Sequence, residues 1–212
     1  MIPASTLATV CPTAQRRQAF VNAAREAFFA NGYAGTTMSS IAGTVGGSKT
    51  TLWSYFPSKE ELFAAVVDDI VEHYGQALSV EMPDDDDIVG ALRQFGRALM
   101  NTIMSEQIMA LYRLVLSEAT RFPHLAEMFY DRGPRQGKAR LAEYIGRAMD
   151  RGLLRRGDPM HLVFQLAGLF QAGIYQTKLL NLETHCDDAM IEAEIEAAVD
   201  TFYRAWRPGE AD

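Results

Sequence analysis

The chain contains one short segment whose residue types could bind phosphate groups. Residues 43–50 read GTVGGSKT and nearly match the phosphate-binding loop GxxxxGK[ST], with Ser48 in place of the second glycine. In such a loop, glycines let several backbone N–H groups converge on a nucleotide directly after a buried strand. The phosphates of a DNA backbone are the alternative partner for the same residues. The segment is therefore compatible with two classes of protein, a nucleotide-binding enzyme and a DNA-binding protein.

The elements around this segment favour a short helix over a nucleotide loop. The preceding residues, TTMSSIA, have the pattern of a capped amphipathic helix, and no apolar strand ending in a magnesium-binding aspartate follows. Ser48 can cap a helix that runs through Tyr55 and ends before Pro57. Leu52 and Phe56, four residues apart, would then face the core.

The remaining residues of this helix form an outward face that is short, polar and singly basic. Such a face suits the major groove of DNA, where a helix presents side chains to base edges and phosphates. The alternative to DNA contact is that Trp53 packs on the protein surface and Lys49 is merely solvated. The candidate DNA-binding residues, including the cap and the flanking residues that could reach the backbone, are Thr36, Thr37, Ser48, Lys49, Thr50, Trp53, Ser54, Tyr55 and Lys59.

Helical periodicity extends along nearly the whole chain, which predicts an all-α fold of about nine helices. A helix over residues 14–30 ends at Asn31-Gly32, and two short helices separated by Gly46-Gly47 follow it. Three such helices within about 60 residues are typical of a helix-turn-helix. We expect a lead-in over residues 1–13, a DNA-binding domain over 14–60 and a larger helical domain for effector binding and dimerisation over 61–212.

Among the longer helices, one is expected to follow the acidic loop at Pro83–Asp87, and another to span Glu106 to Phe122. A third starts near His124, is interrupted at Gly133-Pro134 and resumes through Lys138–Arg151. Asp158-Pro159 opens a helix that is expected to continue through Leu180, because proline suits the first helical turn. The last helix is expected from Asp187 to Trp206.

The charge distribution agrees with a polyanionic partner for the N-terminal part alone. The 212-residue chain has a net charge of −7, 48% hydrophobic and 22% charged residues, which is typical of a globular protein. Residues 1–57 contain four basic residues and only one acidic residue, Glu26, so the acidic excess lies in the remainder. The start of the chain lacks a signal peptide, and no apolar run reaches membrane-spanning length, so we expect a soluble, cytoplasmic protein.

The run from residue 31 to residue 63, NGYAGTTMSSIAGTVGGSKTTLWSYFPSKEELF, resembles the DNA-binding domain of the tetracycline-repressor-like (TetR) family. The resemblance covers about residues 14–70 without gaps. It implies backbone contacts from Thr37, Tyr55 and Lys59, and groove contacts from Lys49, Thr50, Trp53 and Ser54. The sequence departs from the consensus of the family at Val45, Gly47, Thr50 and Trp53. The change at Gly47 implies a looser turn, and the changes at Thr50 and Trp53 imply that the operator sequence differs from those of relatives.

The segment LYRLVLSEATRFPHLAEMFYDRGP, from Leu111, is similar to AefR-like C-terminal domains, and the family implies that this half binds a small inducer. The apolar inventory suggests a hydrophobic or aromatic effector, although Met and Phe at helical spacing are also typical of plain core. Arg113 and Glu118 lie within an otherwise apolar helix and could be polar anchors, an intramolecular pair or simply exposed. The candidate ligand-binding residues are Phe95, Met100, Met104, Met109, Tyr112, Phe122, Phe129 and Phe164.

The last two helices each carry an apolar stripe, and pairing them across a two-fold axis would form a four-helix bundle. The alternative is that both stripes pack within one subunit. A dimer is favoured because dimeric helix-turn-helix proteins span half-sites about 34–36 Å apart. The candidate interface residues are Leu162, Leu166, Leu169, Phe170, Ile191, Ile195, Val199, Phe202 and Trp206.

No metal, cofactor or catalytic site is predicted. The acidic run Asp84–Asp87 lacks the spacing of a calcium loop and is better explained as a helix-capping turn, and Cys11 and Cys186 fit no zinc pattern or disulfide framework. The leading hypothesis is a homodimeric repressor, not an enzyme, whose partners are operator DNA, a second copy of itself and a small effector, and not a membrane. A small-molecule binding module without DNA affinity and a small α-helical enzyme remain the alternatives.

Overall fold

The computed structural model describes residues 12–46, 48–75, 80–83, 86–182 and 185–209, and these residues are helical with no strand. This confirms the all-α fold. The described helices are α1 (Pro12–Gly35), α2 (Met38–Thr44), α3 (Lys49–Tyr55), α4 (Lys59–Tyr74), α5 (Ile88–Ile103), α6 (Glu106–Glu118), α7 (Pro123–Arg132), α8 (Pro134–Asp150), α9 (Pro159–Phe170), α10 (Ile174–Leu179) and α11 (Asp188–Trp206).

Short polar side chains begin the helices where the sequence predicts them. Each one accepts a hydrogen bond from a backbone N–H two or three residues further along, which satisfies a donor that the first helical turn leaves free. The Ser48 hydroxyl, for example, accepts from the Thr51 N–H at 3.1 Å. The described residues that cap in this way are Thr37, Ser48, Ser58, Asp87, Ser105, Asp158 and Asp187.

The helix predicted over residues 158–180 is divided into α9 and α10 in the structure. The backbone leaves helical geometry at Gly173 (φ −106°, ψ −113°), where the chain approaches α11 very closely. A Cβ atom at Gly173 would lie 2.1 Å from Oε1 of Glu194. The interruption predicted at Gly133-Pro134 is confirmed, and α8 begins at Pro134 itself.

Gly32 interrupts the last turn of α1 with a φ of +75°, a conformation that glycine adopts readily and other residues rarely do. The helix that the sequence predicts to end at Asn31-Gly32 is therefore broken at Gly32, but helical residues continue past the break to Gly35. Past Gly32, the Thr36 hydroxyl donates to the carbonyl oxygens of Ala27 at 3.0 Å and Gly32 at 2.8 Å. These bonds fix the turn that leads from α1 into α2.

The buried side chains form two clusters. The first joins α1 to α4 with one face of α6 and α7, and the second joins α5, α8, α9 and α11. Helix α6 belongs to both, since Leu111 and Val115 lie in the first cluster and Met109 lies in the second. The half-buried Tyr112 packs against both clusters, so α6 connects the helix-turn-helix part to the larger C-terminal part.

Helices α5 and α11 pack closely, and polar pairs flank the contact. A Cβ atom at Gly96 would lie 2.9 Å from the Phe170 ring and 3.0 Å from Ile195 Cγ2, so only glycine allows this approach. On the surface beside it, Arg97 Nε donates to the Glu192 carboxylate at 2.9 Å. Across the described residues, we find no helix that is both long enough and apolar enough to cross a bilayer.

Candidate nucleic-acid interface and effector cavity

Helix α3 presents one side to the protein and the other to solvent. Leu52 is fully buried and Phe56, just past the helix, is almost so, and both lie in the first apolar cluster. The opposite side carries the exposed residues Lys49, Thr50, Trp53 and Ser54, and the Trp53 side chain is 47% exposed. A large aromatic side chain left in water beside an unpacked lysine is free to contact a partner.

Two hydroxyl groups on this face have partners within the chain. The Ser48 hydroxyl caps α3 and lies 2.9 Å from the Thr51 hydroxyl, and the Ser54 hydroxyl donates to the Thr51 carbonyl at 2.7 Å. The Thr37 side chain caps α2, and its oxygen accepts from the Ser40 N–H at 3.1 Å. These residues order the two short helices, while Lys49, Thr50 and Trp53 have side chains that point outward without such a role.

Thr36 and Lys59 are placed differently from the sequence-based interpretation. Thr36 is buried, and its hydroxyl serves the turn after Gly32, so that side chain is not offered to a phosphate. The Lys59 ammonium is half-buried and donates to the Tyr33 carbonyl at 2.9 Å and the Thr36 carbonyl at 3.1 Å. It also lies 4.2 Å from the centre of the Tyr33 ring. Both residues stabilise the junction between α1, α2 and α4.

Two arginines that were not singled out from the sequence lie beside α3. The Arg17 guanidinium is 5.0 Å from the centre of the Phe56 ring, and that of Arg16 is 5.7 Å from the centre of the Phe20 ring. Phe20 in turn contacts Tyr55, with ring centres 5.8 Å apart. Both arginines are exposed at the start of α1. The basic excess in residues 1–57 was the signal that could have identified them.

Burial perturbs one phenol behind this face. Tyr33 stacks with Phe28 and makes edge contacts with Phe63 and Phe122. Burial, and then the nearby Glu60 carboxylate, raise the pKa of the Tyr33 phenol above its ordinary value. The ring therefore stays neutral at physiological pH and serves as packing between α1, α4 and the loop before α7.

A second feature is a cavity of about 540 Å³ in the C-terminal part. It lies among α5 to α10 and reaches the end of α4, and its wall is mainly apolar. This size falls within the range of small-molecule sites in proteins. The larger apolar and aromatic side chains of the wall are Val71, Phe95, Leu99, Ile103, Ile108, Tyr112, Val115, Leu116, Phe129, Tyr130, Leu141, Val163, Phe170 and Tyr175.

Three of the eight ligand-binding candidates line this cavity, namely Phe95, Tyr112 and Phe129. The other five do not, and their assignment is corrected here. Met100, Met104 and Met109 are buried in the second apolar cluster, because they lie on the α5 and α6 sides that face other helices. Phe122 packs on Tyr33, and Phe164 is on the outer surface of α9 with 52% of its side chain exposed.

The inner part of the cavity contains a pair of phenols. The Tyr112 and Tyr175 rings have centres 6.4 Å apart, and Tyr112 also contacts Phe129 at 5.8 Å. Burial, and then the neighbouring Tyr112 hydroxyl, raise the pKa of Tyr175 above its ordinary value. Neutral hydroxyls in an apolar wall give a ligand a place to form hydrogen bonds without a charge.

Arg113 and Glu118 of α6 form bonds to other helices and do not line the cavity. Arg113 Nε donates to the Leu179 carbonyl at 2.9 Å and so caps the end of α10. The Glu118 carboxylate accepts from the Ala34 N–H at 2.9 Å, in the turn that follows Gly32. A Cβ atom at Gly32 would lie 3.0 Å from the same carboxylate oxygen. The last residue of α6 thus contacts the end of α1.

Most of the predicted dimer residues are buried inside the chain itself. Six of them, Leu162, Leu166, Phe170, Ile195, Val199 and Phe202, have almost no exposed surface and fill the core between α5, α9 and α11. Leu169 and Ile191 are half-buried, as is Trp206, whose indole N–H donates to Gln165 Oε1 at 2.8 Å. The apolar stripes therefore pack within one subunit, the alternative that the sequence left open.

The opposite sides of α9 and α11 have small or apolar side chains facing solvent. Phe164 and Gly168 are exposed on α9, and Ala193, Ala197 and Thr201 follow one another at spacings of four on α11. A shallow groove of about 440 Å³ runs along this side. It is lined by Leu169, Ile174, Met190, Ala193, Glu194, Ala197, Ala198 and Thr201.

The candidate cation-binding residues do not form a site in the part of the chain that the structure describes. No group of three or more His, Cys, Asp or Glu side chains comes together there. Asp84, Asp85, Cys11 and Gly47 lie outside the described residues, while Asp87 caps α5 by accepting from the Gly90 N–H at 2.9 Å. The GTVGGSKT segment begins in the last two residues of α2 and ends in the first two of α3, so a helix and not a strand precedes it, and its context differs from that of a nucleotide loop.

Comparison with known families agrees with this arrangement. Residues 20–66 match the family described as bacterial regulatory proteins, tetR family, and residues 90–208 match the AefR-like transcriptional repressor C-terminal domain. The second match alone spans more than half of the chain. The protein belongs to the TetR family. Its C-terminal domain is of the AefR-like type, as the segment from Leu111 indicated.

Solved structures of TetR-family proteins have the same overall fold. A structure named Flavonoid-responsive Regulator FrrA has 32% sequence identity and a TM-score of 0.80, over 93% of this chain and 100% of that one. A putative TetR-family transcriptional regulator from Mesorhizobium loti has 29% identity and a TM-score of 0.74, over 93% of this chain and 99% of that one.

Among curated relatives, the TetR-family chain is similar to the HTH-type transcriptional regulator RutR of Escherichia coli strain K12. The two are 42% identical over 57 residues, which is 27% of each chain. The match thus spans about a quarter of the length of that relative.

Proposed function

We propose that this TetR-family chain is a homodimeric transcriptional repressor that binds operator DNA and releases it when an apolar or aromatic effector occupies the cavity. The observation that carries this proposal is the outward face of α3, which is capped and held by the core but leaves Lys49, Thr50 and Trp53 exposed to solvent. Such a face fits the major groove, where a helix reads base edges. Residues 14–60 would form the DNA-binding unit and residues 61–212 the effector-binding and dimerisation unit.

On DNA, α3 enters the groove while neighbouring residues contact phosphates. Lys49 and Thr50 lie in the first turn of α3, and Trp53 is one turn further along. The exposed arginines at the start of α1, Arg16 and Arg17, add positive charge beside the same helix. Phosphate contacts of this kind supply affinity, while contacts to base edges supply specificity.

The dimer would form through the outward sides of α9 and α11, not through the buried stripes. The small side chains of Ala193, Ala197 and Thr201 allow two helices to approach closely, and the exposed Phe164 supplies apolar area. Two chains related by a two-fold axis would then form a four-helix bundle. In such a dimer the two-fold axis would present the two α3 helices to successive half-sites, which in dimeric helix-turn-helix proteins lie about 34–36 Å apart.

The effector would occupy the 540 Å³ cavity, whose wall contains the rings of Phe95, Tyr112 and Phe129. The flavonoid-responsive regulator that shares the fold at 32% identity supports a flat aromatic compound as the ligand class. Helix α6 lines the cavity with Tyr112 and Val115 and reaches the end of α1 with Glu118. A ligand that repositions α6 would therefore change the orientation of the DNA-binding helices.

Operator binding is tested by a gel shift with DNA flanking the gene for this protein and with a genomic library. We expect a sequence-specific complex, weakened in Lys49→Ala and Tyr55→Phe, and a log–log salt slope that falls by about one unit in Lys49→Ala. Arg156→Ala is the matched control, since Arg156 is exposed in the C-terminal part and pairs with Asp150 at 2.9 Å. Absence of any specific complex would exclude a DNA-binding regulator.

The effector is sought by a thermal-shift screen of small aromatic and apolar compounds, followed by gel shifts with each compound that raises the unfolding temperature. A compound that raises this temperature and dissociates the operator complex supports the proposal. Ligand binding without DNA affinity at low salt would favour a small-molecule binding module. Protection by ATP or GTP would favour the nucleotide-binding enzyme.

A further inference from the structure

The cavity has a polar mouth that differs from its apolar interior. The lining residues that are exposed to solvent lie together on α6, α7 and α8, and they mark where a ligand would enter. They include Leu116, Glu127, Tyr130 and Arg135, with the half-buried Lys138 beside them. The charged groups of the described lining are therefore all at the mouth, and none lies among the buried rings.

The two cations at the mouth differ in their partners. Arg135 is bound to the Asp131 carboxylate at 3.0 Å, one turn earlier in the chain, and its charge is thereby balanced. Lys138 forms no ion pair among the described residues. Its ammonium lies 5.4 Å from the centre of the Phe164 ring and 4.9 Å from that of Tyr130, a ring that the Arg135 guanidinium also approaches at 5.5 Å. These ring contacts hold a positive charge at the mouth without neutralising it.

We propose that the effector is an aromatic acid, with its rings in the cavity and its anionic oxygen group at the mouth on the Lys138 ammonium. This inference rests on the proposed function, because it names the chemical class of the effector. An anion beside an ammonium at the edge of an apolar cavity is attracted more strongly than in bulk water, because the surroundings screen the charges less. A carboxylate or an ionised acidic phenol would both serve.

The interior supports the same orientation. The inner wall offers the phenol hydroxyls of Tyr112 and Tyr175, which can bind a hydroxyl or carbonyl group but supply no positive charge to balance an anion. An anion placed there would lose its hydration without gaining an opposite charge. The anionic end of the ligand is therefore directed toward Lys138 and away from Glu127, the described carboxylate of the lining, which would repel it.

The test compares two compounds of equal shape that differ in charge, biphenyl-4-carboxylate and biphenyl-4-carboxamide, by isothermal titration calorimetry at pH 7. We expect the full-length protein to bind the carboxylate at least about tenfold more tightly, which corresponds to about 1.4 kcal/mol. Lys138→Met removes the charge and keeps an unbranched side chain, so it should abolish the preference. Lys138→Arg should retain it, and so should Arg135→Gln, the matched control.

Equal affinity for the two compounds in the wild type would overturn the inference, as would a preference that survives in Lys138→Met. Failure of both compounds to bind would also overturn it. These outcomes remain separable from the proposed function, because operator binding and its release by a neutral aromatic compound are measured in the gel shift. If the protein is released from the operator by neutral compounds and shows no preference for acids, the proposed function is retained and the inference of an aromatic acid effector is rejected.

Discussion

The contact between Glu118 and the end of α1 gives the sharpest prediction about signal transmission. Helix α6 lines the cavity on one side, and its last residue accepts the Ala34 N–H at 2.9 Å. Ala34 belongs to the turn that Thr36 and Lys59 also hold and that leads directly to Thr37, the cap of α2. Glu118→Ala should therefore remove the hydrogen bond that links the end of α6 to the turn before the helix-turn-helix.

The magnitude follows from the geometry of this bond. A hydrogen bond to a charged group contributes about 1.5–3 kcal/mol to stability, and the lower part of that range applies because Glu118 is only half-buried. We expect Glu118→Ala to lower the free energy of unfolding by about 1–2 kcal/mol. Operator affinity without effector should change little, because the Thr36 and Lys59 bonds still hold the turn.

The effector response is the decisive measurement. Couplings between ligand sites are typically about 1–3 kcal/mol, or about 5–150-fold in affinity. The gel shifts compare operator affinity with and without a compound that releases the wild-type protein from the operator. In Glu118→Ala, the coupling free energy calculated from the two affinities should be at most about half of the wild-type value. Glu118→Gln retains an oxygen acceptor and is the matched control, so its response should remain close to wild type.

The reasoning is refuted if Glu118→Ala responds to the effector as strongly as the wild type. It is also refuted if urea unfolding shows no loss of stability, because the Ala34 N–H would then gain nothing from the carboxylate. Equal loss of response in Glu118→Ala and Glu118→Gln would assign the effect to the charge and not to the hydrogen bond.

Three further predictions concern packing, assembly and pH. Gly96→Ala should destabilise the fold by about 1–2 kcal/mol in urea unfolding, since overpacking against the buried Phe170 ring outweighs the gain in helix propensity; Gly43→Ala, with open space around it, should not. Ala197→Arg should yield a monomer in light scattering and lose operator affinity, and an intact dimer would contradict the assigned face. The Arg97 guanidinium lowers the pKa of Glu192, so the pair stabilises the fold above the ordinary carboxyl pKa and loses this effect as the pH falls through the lowered one. Glu192→Gln should accordingly be less stable than wild type at pH 7 by thermal unfolding, with the difference vanishing in acid.

Local sequence signals were sufficient to predict the helices and turns of the helix-turn-helix. Caps such as Ser48 act within three residues, and the spacing of Leu52 and Phe56 identifies the inward side of α3 without knowledge of any other element. The turn at Gly32 is likewise a property of that residue, because its positive φ is a local requirement. The division of α9 from α10 was missed because its cause is the approach to Glu194, which is distant in sequence.

The C-terminal half shows the limit of periodicity. A stripe of apolar residues indicates that a helix buries one side, but the stripe does not say which helix covers it. Ile195 and Val199 have the pattern of a dimer seam, yet they pack inside the subunit, and the face that we propose for the dimer consists of small residues that give little hydrophobic signal. For the same reason, the sequence could not show that Phe95 lines the cavity while Met100, five residues further along α5, is buried in the core.

By itself, the sequence determined the fold class, the helix boundaries set by caps and glycines, the TetR-family resemblance and the exposed face of α3. Each depends on residues that are neighbours in the chain. Only the tertiary structure decided that Thr36, Lys59 and Glu118 hold the junction of the two parts, that three of eight candidate residues line the cavity, and that Lys138 stands at its mouth. Those properties depend on which helices pack together, and side chains far apart in sequence acquire them only in the folded chain.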